Sequence, residues 1–218
     1  MDETRLQDLI SRGMGIAARK GGVLCDAFRP CDAGPPLVLR NRFLRLSVAF
    51  NAEDPSFRRA GAYGRAAYYA VFDSAYTRPG DYLAERGSRR VWFLAEQLPL
   101  LPVLCVLANR VVSLARPAAP VLAGLNAYGG VNRAMLTPIL TDWPASVLAG
   151  GGGPGGAGAV ELPGDTRLAG FSVLLPSVAA AVPRVDDLLS DDLGRNFIVA
   201  SAELSPLGWR LAVRQVAS

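Results

Sequence analysis

The sequence predicts a mainly β protein, built from two related small antiparallel β-barrel or sandwich modules with an N-terminal amphipathic helix and an extended arm in front of them. Three observations carry this. From about residue 43 the apolar residues fall in short or alternating runs separated by turn residues, the pattern of strands. A hairpin-like stretch, PGDYLAERGSRRVWFLAEQL at 79–98, is echoed by VDDLLSDDLGRNFIVASAEL at 185–204. The first twenty residues instead repeat at helical spacing.

Within residues 2–20, Leu6, Leu9, Ile10, Met14, Ala17 and Ala18 share one helix face, and acidic residues come early while Arg19 and Lys20 come late, as the helix dipole favours. Gly21 and Gly22 stop the helix. Gly13 and Gly15 weaken its middle by about 1 kcal/mol each relative to Ala, so it needs a surface to dock on. Residues 25–42 hold Pro30, Gly34, Pro35 and Pro36, a composition for an extended arm.

Strand-like runs follow: RFLRLSVAF, AAYYAVFDSAY, DYLAE, RVWFLAEQ, PVLCVLANRVVSLARP and TPILTDWPASVL. GGGGPGGAG at 150–158 has almost no side chains to bury and reads as a loop or linker. After it come RLAGFSVLLPS, DDLLSD, RNFIVASAEL and GWRLAVRQVA. The expected division is therefore 1–42 for helix and arm, 43–149 for the first β module, 150–158 for the linker and 159–218 for the second module.

Laid over each other without a gap, the two hairpins match Asp81 with Asp187, Leu83 with Leu189, Arg89 with Arg195 and Leu98 with Leu204. The same offset of 106 residues, by subtraction, pairs Gly64 with Gly170 and AYYA at 67–70 with VLLP at 173–176. Either a module was duplicated or two modules adopted one hairpin pattern. In both cases the Asp before the turn is placed to bond turn amides, and duplication further predicts that Leu83 and Leu189 both point inward.

Composition excludes several classes of function. With 218 residues the chain can bury about 70% of its unfolded surface. It has no apolar run long enough to span a membrane, and its charged N-terminal stretch MDETRLQDLISR predicts no secretory leader. Its three cysteines lack CxxC spacing, so neither a disulfide framework nor a zinc site is expected. Histidine is absent, which removes Ser-His-Asp and Cys-His nucleophile activation. Asp186, Asp187, Asp191 and Asp192 are the remaining acid–base candidates, and their place at a predicted turn reads as solvated turn acids. GMGIAARKGG and GGGGPGGAG both lack the Gly-Lys-Ser/Thr ending of a phosphate loop. No catalytic residue, metal ligand or cofactor site is therefore expected, and Trp92, Trp143 and Trp209 read as sheet-face residues.

The net charge is +4, and Lys20 is the only lysine. Arg29, Arg40, Arg42, Arg45, Arg58 and Arg59 form the densest basic section, able to hold carboxylates or phosphates bidentately. No recognition helix or stacking aromatics accompany them, which favours a solvated or subunit-paired face over contact with DNA.

Several runs together resemble a class of tailed-bacteriophage virion proteins encoded among head and tail genes: RGMGIAARKGGVLCDAFRP, GRAAYYAVFDSAYTRPGDYL, VWFLAEQLPLLPVLCV, YGGV, TDWPASVL, LPGDTRLAGFSVLLPS and DDLGRNFIVASAELSPLGWRLAVRQ. The paired hairpin is also similar to small β-barrels of phage neck and tail-tube connectors. The resemblance implies a non-enzymatic structural subunit, assembled in the bacterial host cytoplasm and located in the neck or tail of the virion. Its implied partners are further copies of itself in a ring and other neck or tail proteins. A tail-surface or fibre-docking role is the alternative, and a carboxylate-based wall-degrading enzyme a more distant one. The resemblance transfers no functional residue.

Overall fold

The computed structural model describes residues 3–51, 66–117, 136–149, 170–177 and 182–216. Helix α1 spans Glu3–Gly21. Six strands follow: β1 Val23–Phe28, β2 Arg42–Asn51, β3 Ala67–Val71, β4 Tyr82–Glu85, β5 Val91–Glu96 and β6 Val103–Ala108. Six more complete the described chain: β7 Arg110–Pro117, β8 Leu136–Ala149, β9 Gly170–Leu175, β10 Leu188–Asp191, β11 Asn196–Ser205 and β12 Gly208–Val216.

Each set of six closes on itself as an antiparallel barrel. The first runs β1-β2-β3-β6-β5-β4, with Tyr82 of β4 returning opposite Phe28 of β1. The second runs β7-β8-β9-β12-β11-β10, with Leu188 of β10 opposite Ala115 of β7. The two orders are the same order, strand for strand. Closure pairs every strand on both sides and removes the exposed edges that invite aggregation.

The inward side chains explain the apolar alternation. In the first barrel Cys25, Ala27, Leu83, Leu94 and Cys105 are wholly buried, and Trp92 stacks on Phe50 at a ring separation of 4.1 Å. The indole N–H of Trp92 is buried without a hydrogen-bond partner. In the second barrel Leu114, Val173, Leu189, Phe197, Val199 and Leu211 fill the same kind of space.

The repeat is real, but its alignment carries gaps. Leu83 lies opposite Trp92, and Leu189 opposite Phe197. The first β4–β5 turn is thus one residue longer than the β10–β11 turn, and Arg90, rather than Arg89, is the counterpart of Arg195. Upstream, β3 and β9 are equivalent strands, yet the ungapped match sets exposed Ala67 against buried Val173. A slip of one residue exchanges the two faces of a strand, so the alignment there needs a second adjustment.

The boundary between modules also differs from the expected one. It falls at Asn109, the single residue between β6 and β7. Strands β7 and β8 belong to the second barrel, and β1, inside the stretch expected to be an arm, belongs to the first. GGGGPGGAG lies outside the described residues and connects β8 to β9 within one barrel, so it does not link modules.

The two barrels share a buried seam. Tyr82, Phe93 and Val106 point out of the first barrel and are completely buried. Tyr82 donates its hydroxyl to the carbonyl of Pro144 at 2.9 Å, and its ring meets Trp143 edge-on at 5.9 Å. Asn109 pins the crossover by donating to the Val147 carbonyl and accepting the Val147 N–H. The connection between β1 and β2 is packed into this seam too. The carbonyl of Ala33 accepts from both the Trp143 indole and the Thr141 amide, while buried Asn41 donates to the Pro36 carbonyl. Residues 25–42 therefore form a barrel strand and a fixed loop instead of a free arm.

Helix α1 packs on β2 and β3 with a face of small residues, Ser11, Gly15 and Ala18. A Cβ at Gly15 would stand 2.8 Å from that of Asp73, so the glycine permits an approach no other residue allows. This corrects the expected docking face: of its six members only Ala18 is fully buried, and Leu6 and Leu9 are exposed. Close backbone approach at Gly15 and Gly22 selects the small-residue face. Among the described residues no helix is long and apolar enough to cross a membrane.

Candidate functional site

Of the six arginines singled out in the sequence, four are described, and all four already hold carboxylates of this chain. Arg29 grips Asp81 through Nε and Nη2 at 2.8 and 2.7 Å, and Nη2 also donates to the Tyr76 carbonyl. Arg40 pairs with Asp32. Arg45 donates to Asp26 at 2.7 Å, with Arg42 at 3.7 Å from the same carboxylate. Arg58 and Arg59 lie outside the described residues. Two participants went unread in the sequence: Arg86, 4.0 Å from Asp26, and Arg116. Both sit far along the chain from the basic section, so only strand pairing brings them in.

Arg116 repeats Arg29 in the second barrel. Its Nε and Nη2 reach Asp187 at 2.8 and 2.9 Å, and Nη2 donates to the Val182 carbonyl. In each barrel the same carboxylate also accepts a turn amide, that of Arg78 for Asp81 and of Arg184 for Asp187. The hydrogen bond to each aspartate raises the affinity of its arginine for the proton, against the smaller effect of burial. A second pair closes each β-turn: Glu85 with Arg90, and Asp191 with Arg195. Burial pushes the Glu85 and Asp191 carboxyls up. Hydrogen bonds from Ser88 and Arg90, and from Arg195 and the Leu193 amide, outweigh it and hold both below their ordinary values.

These contacts correct the reading of the aspartates as solvated turn acids. Asp187 and Asp191 are buried and paired, while Asp186 and Asp192 are exposed. A carboxylate fixed by a bidentate guanidinium is a poor general acid or base, because its lone pairs are taken. Among the described residues no group of three His, Cys, Asp or Glu can hold a metal ion.

Two surface depressions are formed by described residues. One, of about 350 Å³, lies between α1 and the β1–β2 ladder and is lined by Gly15, Arg19, Leu24, Arg45 and Asp73 among others. The other, of about 470 Å³, lies on the β11–β12 side of the second barrel around Asp186, Ile198, Ala200 and Arg214. No protein-family model, curated protein or solved structure matches this chain.

Proposed function

We propose that this chain is a non-enzymatic structural subunit of a tailed-phage particle, joining neighbouring rings in the neck or tail. One observation carries the reading: two closed barrels of identical strand order are fused through a buried aromatic seam with one connecting residue. Such a body has no free edges and a fixed shape, which suits a building block that must present the same surfaces in every copy. The carboxylates best placed for acid–base chemistry are bound by arginines, which favours a structural role over a wall-degrading enzyme. The basic section is matched largely by acids of the same chain, which favours protein neighbours over DNA.

Particles purified from a phage that encodes this chain provide the test. Mass spectrometry should find the chain in many copies, and cryo-electron microscopy should place those copies in a ring at the neck or tail. Particles that assemble fully and lack the chain overturn the reading.

A further inference from the structure

The internal repeat leaves one face without its counterpart. Tyr82, Phe93 and Val106 form the outward patch of the first barrel that the second barrel covers. Strand pairing assigns their equivalents. Leu188 precedes Leu189 as Tyr82 precedes Leu83. Ile198 is opposite Leu188 as Phe93 is opposite Tyr82, and Arg214 is opposite Ile198 as Val106 is opposite Phe93. Among the described residues nothing covers this second patch. Ile198 is 38% exposed, and Ala200 and Arg214 are exposed beside it.

The covering strand has its own counterpart. In β8 the residues at the seam are Trp143, Pro144 and Ala145, with Trp143 opposite Val112. Val112 corresponds to Cys25, since each pairs with the acid that ends its β4 or β10 strand, and Cys25 lies opposite Leu46. The counterparts are thus Leu46, Ser47 and Val48 of β2. Leu46 and Ser47 line the α1 cleft together with Leu24, which is 42% exposed.

We propose that the β10–β12 face of one copy docks on the β1–β2 and α1 cleft of a second copy, repeating between chains the contact that the two barrels make within one. The charges agree. Asp26 is shared by Arg42, Arg45 and Arg86, which leaves two positive charges in excess beside the cleft, while Arg19 and Asp73 within it offset each other. The facing patch presents Asp186, which makes no side-chain ion pair among the described residues, and Arg214 at its far side. Because α1 already packs on β2, with Ala18 in the same buried cluster as Val48, the contact between copies is smaller than the internal one and reversible. The two faces differ, so the contact is head-to-tail and closes into a ring where the rotation permits.

This deepens the ring-subunit reading, and its test needs no particle. Sedimentation velocity and mass photometry on the full chain should show wild type associating as concentration rises. Ile198→Glu and Leu24→Glu, each with a wild-type circular dichroism spectrum and melting curve, should weaken association by about ten-fold or more, the loss expected at a central apolar anchor. Each variant keeps one good face, so an equimolar mixture should form a 1:1 heterodimer and stop there. Leu204→Glu, at an exposed leucine outside both faces, should associate as wild type does. A monomeric wild type, either face variant with undiminished association, or a mixture that stays monomeric overturns the proposal. Those failures leave the particle reading standing, since that is judged on purified virions.

Discussion

The guanidinium of Arg29 holds the carboxylate of Asp81, 52 positions away in the chain, in the same bidentate geometry with which Arg116 holds Asp187 across 71 positions. Each arginine follows or ends the first strand of its barrel, and each aspartate precedes the fourth, so the pair fastens the closure of the barrel. Both carboxylates are 1% exposed.

Removing the arginine of either pair should be costly, because the surviving carboxylate stays buried. Arg29→Met and Arg116→Met are each expected to destabilise the protein by about 3–5 kcal/mol in chemical denaturation. The double variant Arg29→Met with Asp81→Leu should recover much of that loss. A single-variant cost under about 0.5 kcal/mol would mean the pair is a surface contact of little weight.

Leu83 and Leu189 occupy the same inward position in the two barrels and are 0% and 1% exposed. Leu83→Ala and Leu189→Ala should each cost about 2–5 kcal/mol. Unfolding midpoints that move for only one of them would show that the two interiors are not packed alike.

Acid should loosen both β-turn closures. Glu85 and Asp191 have carboxyls held below their ordinary values of 4.5 and 3.8. Groups lowered on folding contribute stability above those ordinary values, and the contribution disappears as pH falls through the lower folded ones. Melting temperature should therefore drop as pH is taken below 4.5, and Glu85→Gln with Asp191→Asn should flatten that dependence. An identical acid slope in the double variant would assign the loss to other groups.

The seam and the cysteines give spectroscopic tests. Burial raises the Tyr82 phenol well above its ordinary value, so one tyrosine should resist alkaline ionisation until the protein unfolds. Tyr82→Phe removes the hydrogen bond to the Pro144 carbonyl inside the seam and should cost about 1–3 kcal/mol. Burial, reinforced by Glu85 and Asp26, pushes the Cys25 thiol up to about 12. A thiol reagent should accordingly modify exposed Cys31 at once, and Cys25 and Cys105 only on unfolding.

Removing residues 1–21 should leave two folded barrels, since α1 lies outside both. Removing residues 1–42 also takes β1, which opens the first barrel and exposes the edges of β2 and β4. Far-UV circular dichroism and a melting curve distinguish the two; a cooperative, wild-type-like transition in the longer deletion would mean β1 is dispensable.

What the sequence determined by itself was local. Strand period in LRLSVAF or VWFLAEQ, helical period in residues 2–20, the inward leucines and the echo of one hairpin in another all arise from which side chains alternate along a few residues. The absence of histidine is likewise decided by the sequence alone. Where a periodic signal was weak or continuous, the sequence was mute. PVLCVLANRVVSLARP reads as one apolar run, and only the strand pairing shows Asn109 dividing it between two barrels. The prolines of 25–42 suggested an arm because they cannot report that β1 precedes them or that Ala33 is held by Trp143. The helix presented its larger residues as the docking face, yet the close approach to β2 and β3 admits only Ser11, Gly15 and Ala18. Which arginine meets which aspartate was decided by tertiary structure for the same reason: partners 52 and 71 positions apart are brought together by barrel closure, a long-range pairing that leaves no periodic trace in the chain.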